Sequence, residues 1–121
     1  MAAAIGFGGA FVRVDDPEAL YRWYEEHLGL TRSNGSFAFP AEAMRGPAVL
    51  ALFARDDDSF PSAQPVMINL QVDDLDAVLD RLIEEGVPVD PRRDRYAFGR
   101  FGWCTDPEGN RIELWQPADE G

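Results

Sequence analysis

Cysteine, histidine and basic side chains are scarce in this chain, and each scarcity closes off a class of function. Cys104 is the only cysteine, so no intrachain disulfide can staple the fold, as expected of a cytoplasmic protein. His27 is the only histidine. Helical spacing puts it on a packed face, which leaves no Ser-His-Asp or Cys-His pairing to assemble. The 11 basic residues stand against 22 acidic ones, a net charge of −11. That balance argues against nucleic acid or an anionic membrane surface as partner. No apolar run approaches the length of a membrane span. No basic residue precedes Arg13, so the apolar N-terminus reads as part of the fold rather than as a secretory signal. Asp56-Asp57-Asp58 lacks the alternating ligands and central glycine of a calcium loop and reads as a solvated turn.

What the chain does have is a repeat. Val12-Arg13-Val14-Asp15-Asp16-Pro17-Glu18-Ala19-Leu20 returns 58 residues later as Leu70-Gln71-Val72-Asp73-Asp74-Leu75-Asp76-Ala77-Val78. Each copy is an alternating strand, an Asp-Asp stop and an amphipathic helix. A period near half of 121 residues means two copies of one unit, not a solenoid. Each unit must bury one face, so two units enclose a cleft. The expectation is one domain over 1–121, with repeat one at about 5–55, a linker at about 56–65 and repeat two at about 66–117.

The first unit reads as a strand over 6–14, then a helix capped by Asp16 with Pro17 at its first position. Leu20, Trp23, Tyr24, His27 and Leu28 share one face of that helix, and Gly29 closes it. Strands follow at 36–39 and 47–54, with room for a short one between them. The second unit reads as a strand over 66–72 and a helix over 75–85, with Leu75, Val78, Leu79, Leu82 and Ile83 on its apolar stripe. A short edge strand at Val87-Pro88-Val89 comes next. Phe98–Cys104 and Arg111–Trp115 then form a hairpin around Asp106-Pro107-Glu108-Gly109-Asn110, where proline and glycine preset the turn. Both units are therefore βαβββ.

Three segments carry a family resemblance. They are Val14-Asp15-Asp16 through Trp23-Tyr24 to Leu28-Gly29-Leu30, then Val72-Asp73-Asp74, then Thr105 through Leu114. With them the chain resembles the vicinal oxygen chelate superfamily, which includes glyoxalase I, bleomycin- and fosfomycin-resistance proteins and extradiol dioxygenases. The resemblance implies an α+β fold in which two βαβββ repeats form a curved, cup-like, eight-stranded mixed sheet with helices outside, commonly as a homodimer. It also implies four metal-ligand positions on the cup face. Here they fall on Gly9, Ala51, Met67 and Glu113, and only Glu113 can coordinate an ion as these sites require. No metal and no other cofactor is expected.

Residue alternation places Arg111, Glu113 and Trp115 on the cup face and turns Ile112, Leu114 and Cys104 toward the helices. Phe11, Phe53, Phe101, Trp103 and Trp115 are the expected aromatic walls, with Arg13, Asn69 and Gln71 as orienting polar groups and Glu113 as the reactive one. An apolar cup with few placed polar groups suits a small organic molecule. The leading expectation is a small-molecule binder of the bleomycin-resistance kind, working as a homodimer. The alternative is a lyase or isomerase of the glyoxalase type with Glu113 as general base or metal ligand.

Overall fold

The computed structural model describes residues 1–119. Two helices start where the Asp-Asp stops place them. Helix α1 spans Pro17–Leu28, and its Asp16 side chain accepts the Ala19 N–H at 3.1 Å. Gly29 ends it in the left-handed region at φ 71°, where a Cβ would be strained. Helix α2 spans Leu75–Glu84, and Asp74 accepts from Ala77 in the same way at 3.1 Å. Such caps satisfy donors that the first helical turn leaves unpaired.

Repeat two has the expected order of elements, but the edge strand expected at Val87-Pro88-Val89 is only a bridge from Val89 to Cys104, and the strand after the helix lies at Asp94–Tyr96. Strand β3 covers Asn69–Gln71, β4 Asp94–Tyr96, β5 Gly99–Thr105 and β6 Arg111–Pro117, in the order β3-β6-β5-β4. β3 runs parallel to β6, and the other pairs are antiparallel. α2 covers one face with Leu75, Leu79 and Leu82, all at 0% exposure, against Cys104, Ile112 and Leu114. Burying each of those leucines stabilises the fold by about 1.5–3 kcal/mol relative to exposure. The helix sits so close to the sheet that a Cβ at Gly102 would lie 2.6 Å from Leu79 Cδ1. The hairpin turn is held by Asp106, a buried carboxylate that accepts from the backbone of Glu108 and Asn110 and from the Asn110 side chain.

Repeat one departs from the expected pattern. The strands predicted over 6–14 and 47–54 are absent, and the strand predicted over 66–72 pairs only at 69–71. The short hairpin of β1 (Arg32–Ser33) and β2 (Ser36–Phe37) and a 3-10 turn at Ala41–Ala43 stand between the two irregular segments. Six strands in two sheets are therefore found among the described residues, not eight in one. The physical reason lies in α1. Its Trp23, Tyr24 and Leu28 pack on the core of repeat two, and Arg81 holds the His27 carbonyl at 2.9 Å. With its helix on the other unit's core, the first unit has no cover for its strands. Phe11, Val12, Val49, Leu50 and Leu52 are left exposed.

Candidate functional site

The face of the four-stranded sheet opposite α2 collects the predicted residues of repeat two in two rows. Register aligns Asn69 with Glu113 and Glu113 with Trp103, and then Gln71 with Trp115 and Trp115 with Phe101. Alternation thus separates these side chains from Cys104, Ile112 and Leu114, which lie in the core beneath α2.

In the first row the Asn69 amide donates to Glu113 Oε2 at 2.6 Å. Glu113 forms no ion pair with an arginine among the described residues. Arg100 pairs with Asp76, and Arg111 pairs with Asp90 at 2.9 Å. Trp103 is only 7% exposed, because the guanidinium groups of Arg92 and Arg111 stand 5.5 and 5.1 Å from its ring centre. Its ring therefore serves as a base for two cations rather than as a wall open to a ligand. Arg111 Nε is buried with no partner. The Arg92 backbone N–H and the Arg111 guanidinium hold the Asp90 carboxyl below the usual carboxylate range.

In the second row Phe101 and Trp115 stack, with ring centres 6.0 Å apart and planes 4° from parallel. Trp115 Nε1 donates to the Phe98 carbonyl at 3.0 Å, which fixes the indole. Tyr96 and Phe98 extend the aromatic surface to an exposed rim, stacked at 5.3 Å. Gln71 is not free to orient a ligand. Its Oε1 accepts the backbone N–H groups of Arg45 and Gly46, and its Nε2 donates to the Gly46 carbonyl. Gly46 lies so near Trp115 that a Cβ there would stand 3.2 Å from the indole.

The predicted residues of repeat one do not join this face. Phe11 is 102% exposed, Arg13 is exposed, and the Phe53 ring meets Phe60 at 5.7 Å, tilted by 45°, within its own loop. They lie on the two segments that carry no sheet pairing. Sequence reasoning missed Arg92, Tyr96, Phe98 and Gly46. Arg111 was legible, because it precedes Glu113 by two on the same strand face. Arg92 and Gly46 sit in loops, where no period exists to aim a side chain.

The donor set does not fit a chelated metal. Glu113 is the one ligating side chain among the four family positions, and its Oε2 is engaged by Asn69. Among the described residues no three His, Cys, Asp or Glu side chains converge as a metal site would require. His27 sits on the helix side, 3.1 Å from Glu85. What the face can do is accept a hydrogen bond or a proton at Glu113 Oε1 beside an aromatic surface. Two other cavities lie elsewhere. One of about 300 Å³ lies between α1 and the hairpin turn at Leu20 and Glu108, and one of about 220 Å³ lies at Tyr96 and Gln116.

Comparison with known proteins gives this geometry a family. The family model for the glyoxalase/bleomycin resistance protein/dioxygenase superfamily matches residues 6–114. Two proteins described as "Putative glyoxylase CFP32", from Mycobacterium bovis and Mycobacterium tuberculosis, are each 34% identical over 85 residues. Those 85 residues are 68% of this chain but 32% of theirs, so the match spans about a third of the curated relatives' length. Among solved structures, TnmS3, an antibiotic binding protein from Streptomyces sp. CB03234, is 28% identical. The match covers 97% of this chain and 100% of that one, with a TM-score of 0.61. A superfamily member from Sphaerobacter thermophilus is 21% identical over 95% of this chain and 98% of its own, with a TM-score of 0.57, a likeness of fold. No helix among the described residues is long and apolar enough to cross a membrane. The chain belongs to the glyoxalase/bleomycin resistance protein/dioxygenase superfamily.

Proposed function

We propose that this chain binds a small organic molecule on the face of β3-β6-β5-β4 opposite α2, without the chelated metal of its metal-using relatives. Glu113 is the anchor, and the one observation that carries the reading is its setting. Its carboxylate sits on a face flanked by Phe101 and Trp115 with only Asn69 engaging it, while the neighbouring arginines are committed to other acids. A mostly apolar surface with a few placed polar groups is the usual makeup of a small-molecule site. The likeness to TnmS3, an antibiotic binding protein, makes antibiotics the first ligands to try.

The working form in this reading is a cytoplasmic homodimer of single-domain chains, whose cup gains its second wall from the apolar segments 6–14 and 47–54. The exposure of Phe11, Val12, Val49, Leu50 and Leu52 supports it, since exposed apolar surface marks interaction sites. Residues 6–14 and 47–54 then become the missing strands of the eight-stranded cup, and Phe11, Arg13 and Phe53 join the ligand site.

The test is a thermal-shift panel of metabolites and antibiotics on the wild type and on Glu113→Gln. Binding raises Tm by mass action. At least one compound should raise the wild-type Tm by several degrees, and Glu113→Gln should lose most of that shift while unfolding near the wild-type temperature without ligand. Equal shifts in both proteins would leave Glu113 as scaffold and remove it from the site. The second reading, a lyase or isomerase with Glu113 as general base or metal ligand, is favoured by the glyoxylase relatives. It requires that a bound compound be converted to product by wild type and not by Glu113→Gln.

A further inference from the structure

We infer that the sheet face opposite α2 selects an organic cation: a protonated amine on an apolar or aromatic body, with its ammonium at Glu113. This deepens the small-molecule reading above and rests on it. The sign of the ligand follows from where the chain's own cations stand. All 11 basic residues are arginines, and those on β5 and β6 are engaged by other acids. Arg111 pairs with Asp90 at 2.9 Å and Arg100 with Asp76. In the loop before β4, Arg92 pairs with Asp94 at 2.7 Å. Arg95 lies cross-strand from Arg100, on the α2 side. Among the described residues the Glu113 carboxylate is met only by the Asn69 amide, at 2.6 Å. That bond also orients the amide, because its oxygen in the same place would face a like charge. Asn69 Oδ1 and Glu113 Oε1 are therefore both open acceptors. A neutral ligand would strip water from the carboxylate and return no charge, and an anion would add a like one. A cation offsets the loss.

The aromatic surface beside Glu113 favours the same charge. Trp103, cross-strand from Glu113, already carries the Arg92 and Arg111 guanidiniums at 5.5 and 5.1 Å from its ring centre, a cation–π distance. Two residues along β6, Trp115 stacks on Phe101, and Phe98 meets Phe101 edge-on at 5.7 Å. Among the described residues no guanidinium stands over these last three rings. An ammonium at Glu113 can thus lay its apolar body on π faces that the chain's own arginines leave unclaimed. A net charge of −11 draws cations toward the molecule as a whole. Arg13 is the one basic residue within 6–14 and 47–54, which makes it the internal competitor for Glu113.

The test titrates the full chain, at a neutral pH where the amine is charged, with 2-phenylethylammonium, neutral 2-phenylethanol and phenylacetate. Chemical shifts of the Asn69 and Glu113 amides and of the Trp115 indole N–H report binding at this face. The ammonium should bind the wild type about tenfold more tightly than the alcohol, the scale of a charged hydrogen bond with a cation–π contact. Phenylacetate should bind more weakly than either. Raising the salt concentration should weaken the ammonium alone. In Glu113→Gln the preference for the ammonium should vanish, and the salt series on the wild type decides the matter should that variant not fold. Wild type binding the alcohol as tightly as the ammonium, or a preference that survives in Glu113→Gln, would overturn the cation and leave a small-molecule site. A preference that appears only in Arg13→Gln would do the same, with Arg13 as the partner of Glu113. A wild type that binds none of these probes while a compound of the thermal-shift panel binds would also overturn the cation alone. With no panel compound bound either, the small-molecule reading would fall with it.

Discussion

At the scale of single residues, the face of each strand was readable from alternation alone. Cys104, Ile112 and Leu114 lie under α2 and Glu113 on the other side, because in a strand side-chain direction follows from position. What alternation could not supply was what each side chain would touch. Trp103 points to the expected face but is covered by two guanidinium groups, one of them from a loop. Gln71 points there too, and its amide is taken by the backbone of residues 45 and 46. Cys104 yields a residue-scale prediction. Burial pushes its thiol up to about 12, with the Asp106 carboxylate adding to the shift and Arg111 opposing it. The native thiol should therefore resist a disulfide reagent at pH 8 and react at once when the chain is unfolded. An unfolded thiol ionises near pH 8.5, so this contribution to stability is intact below that pH and is lost progressively as pH rises toward 12. Rapid labelling of the folded protein at pH 8 would show that the packing around Cys104 is open.

At the scale of elements, both helices and the last hairpin follow from local signals: the Asp16 and Asp74 caps, the Gly29 stop and the Pro107–Gly109 turn. The strands of repeat one have equally good local patterns and do not pair. A strand owes its stability to neighbours and to one covered face. Here the helix that would cover them packs its Trp23 and Tyr24 elsewhere. An ion-pair cluster fastens α2 to the β4–β5 hairpin: Asp76 meets Arg93 at 2.8 Å and also Arg100, and Asp80 meets Arg93 at 2.9 Å. Hydrogen bonds from Arg100 and Arg93 hold the Asp76 carboxyl below its ordinary value. An acid with a lowered folded pKa stabilises the protein above its unfolded pKa near 3.9, and the effect fades as pH falls through the folded value. Asp76→Asn should cost less than about 1 kcal/mol at pH 7, since the pairs are partly exposed and screened. The cost should shrink toward zero as pH falls through the folded value in urea titrations. A difference that persists unchanged at pH 2 would assign the loss to packing, not charge.

At the scale of the whole molecule, the duplication was legible in the sequence and so was the family. The incomplete first unit was not, because a repeat announces what each copy can form and not which neighbour completes it. The unit that stands alone has α2 over its sheet, and the unit that does not leaves Phe11, Val49 and Leu52 in solvent. In the proposed homodimer, a second copy of this 13.5 kDa chain covers that exposed apolar strand sequence. The most direct measurement is amide exchange over residues 6–14 and 47–54 at two protein concentrations, with mass followed by sedimentation. Both segments should be protected where the particle has twice the chain mass, and should lose protection on dilution as the mass falls to 13.5 kDa. Free exchange in both segments at every concentration, in a particle that never exceeds one chain, would contradict a cup completed by a second copy.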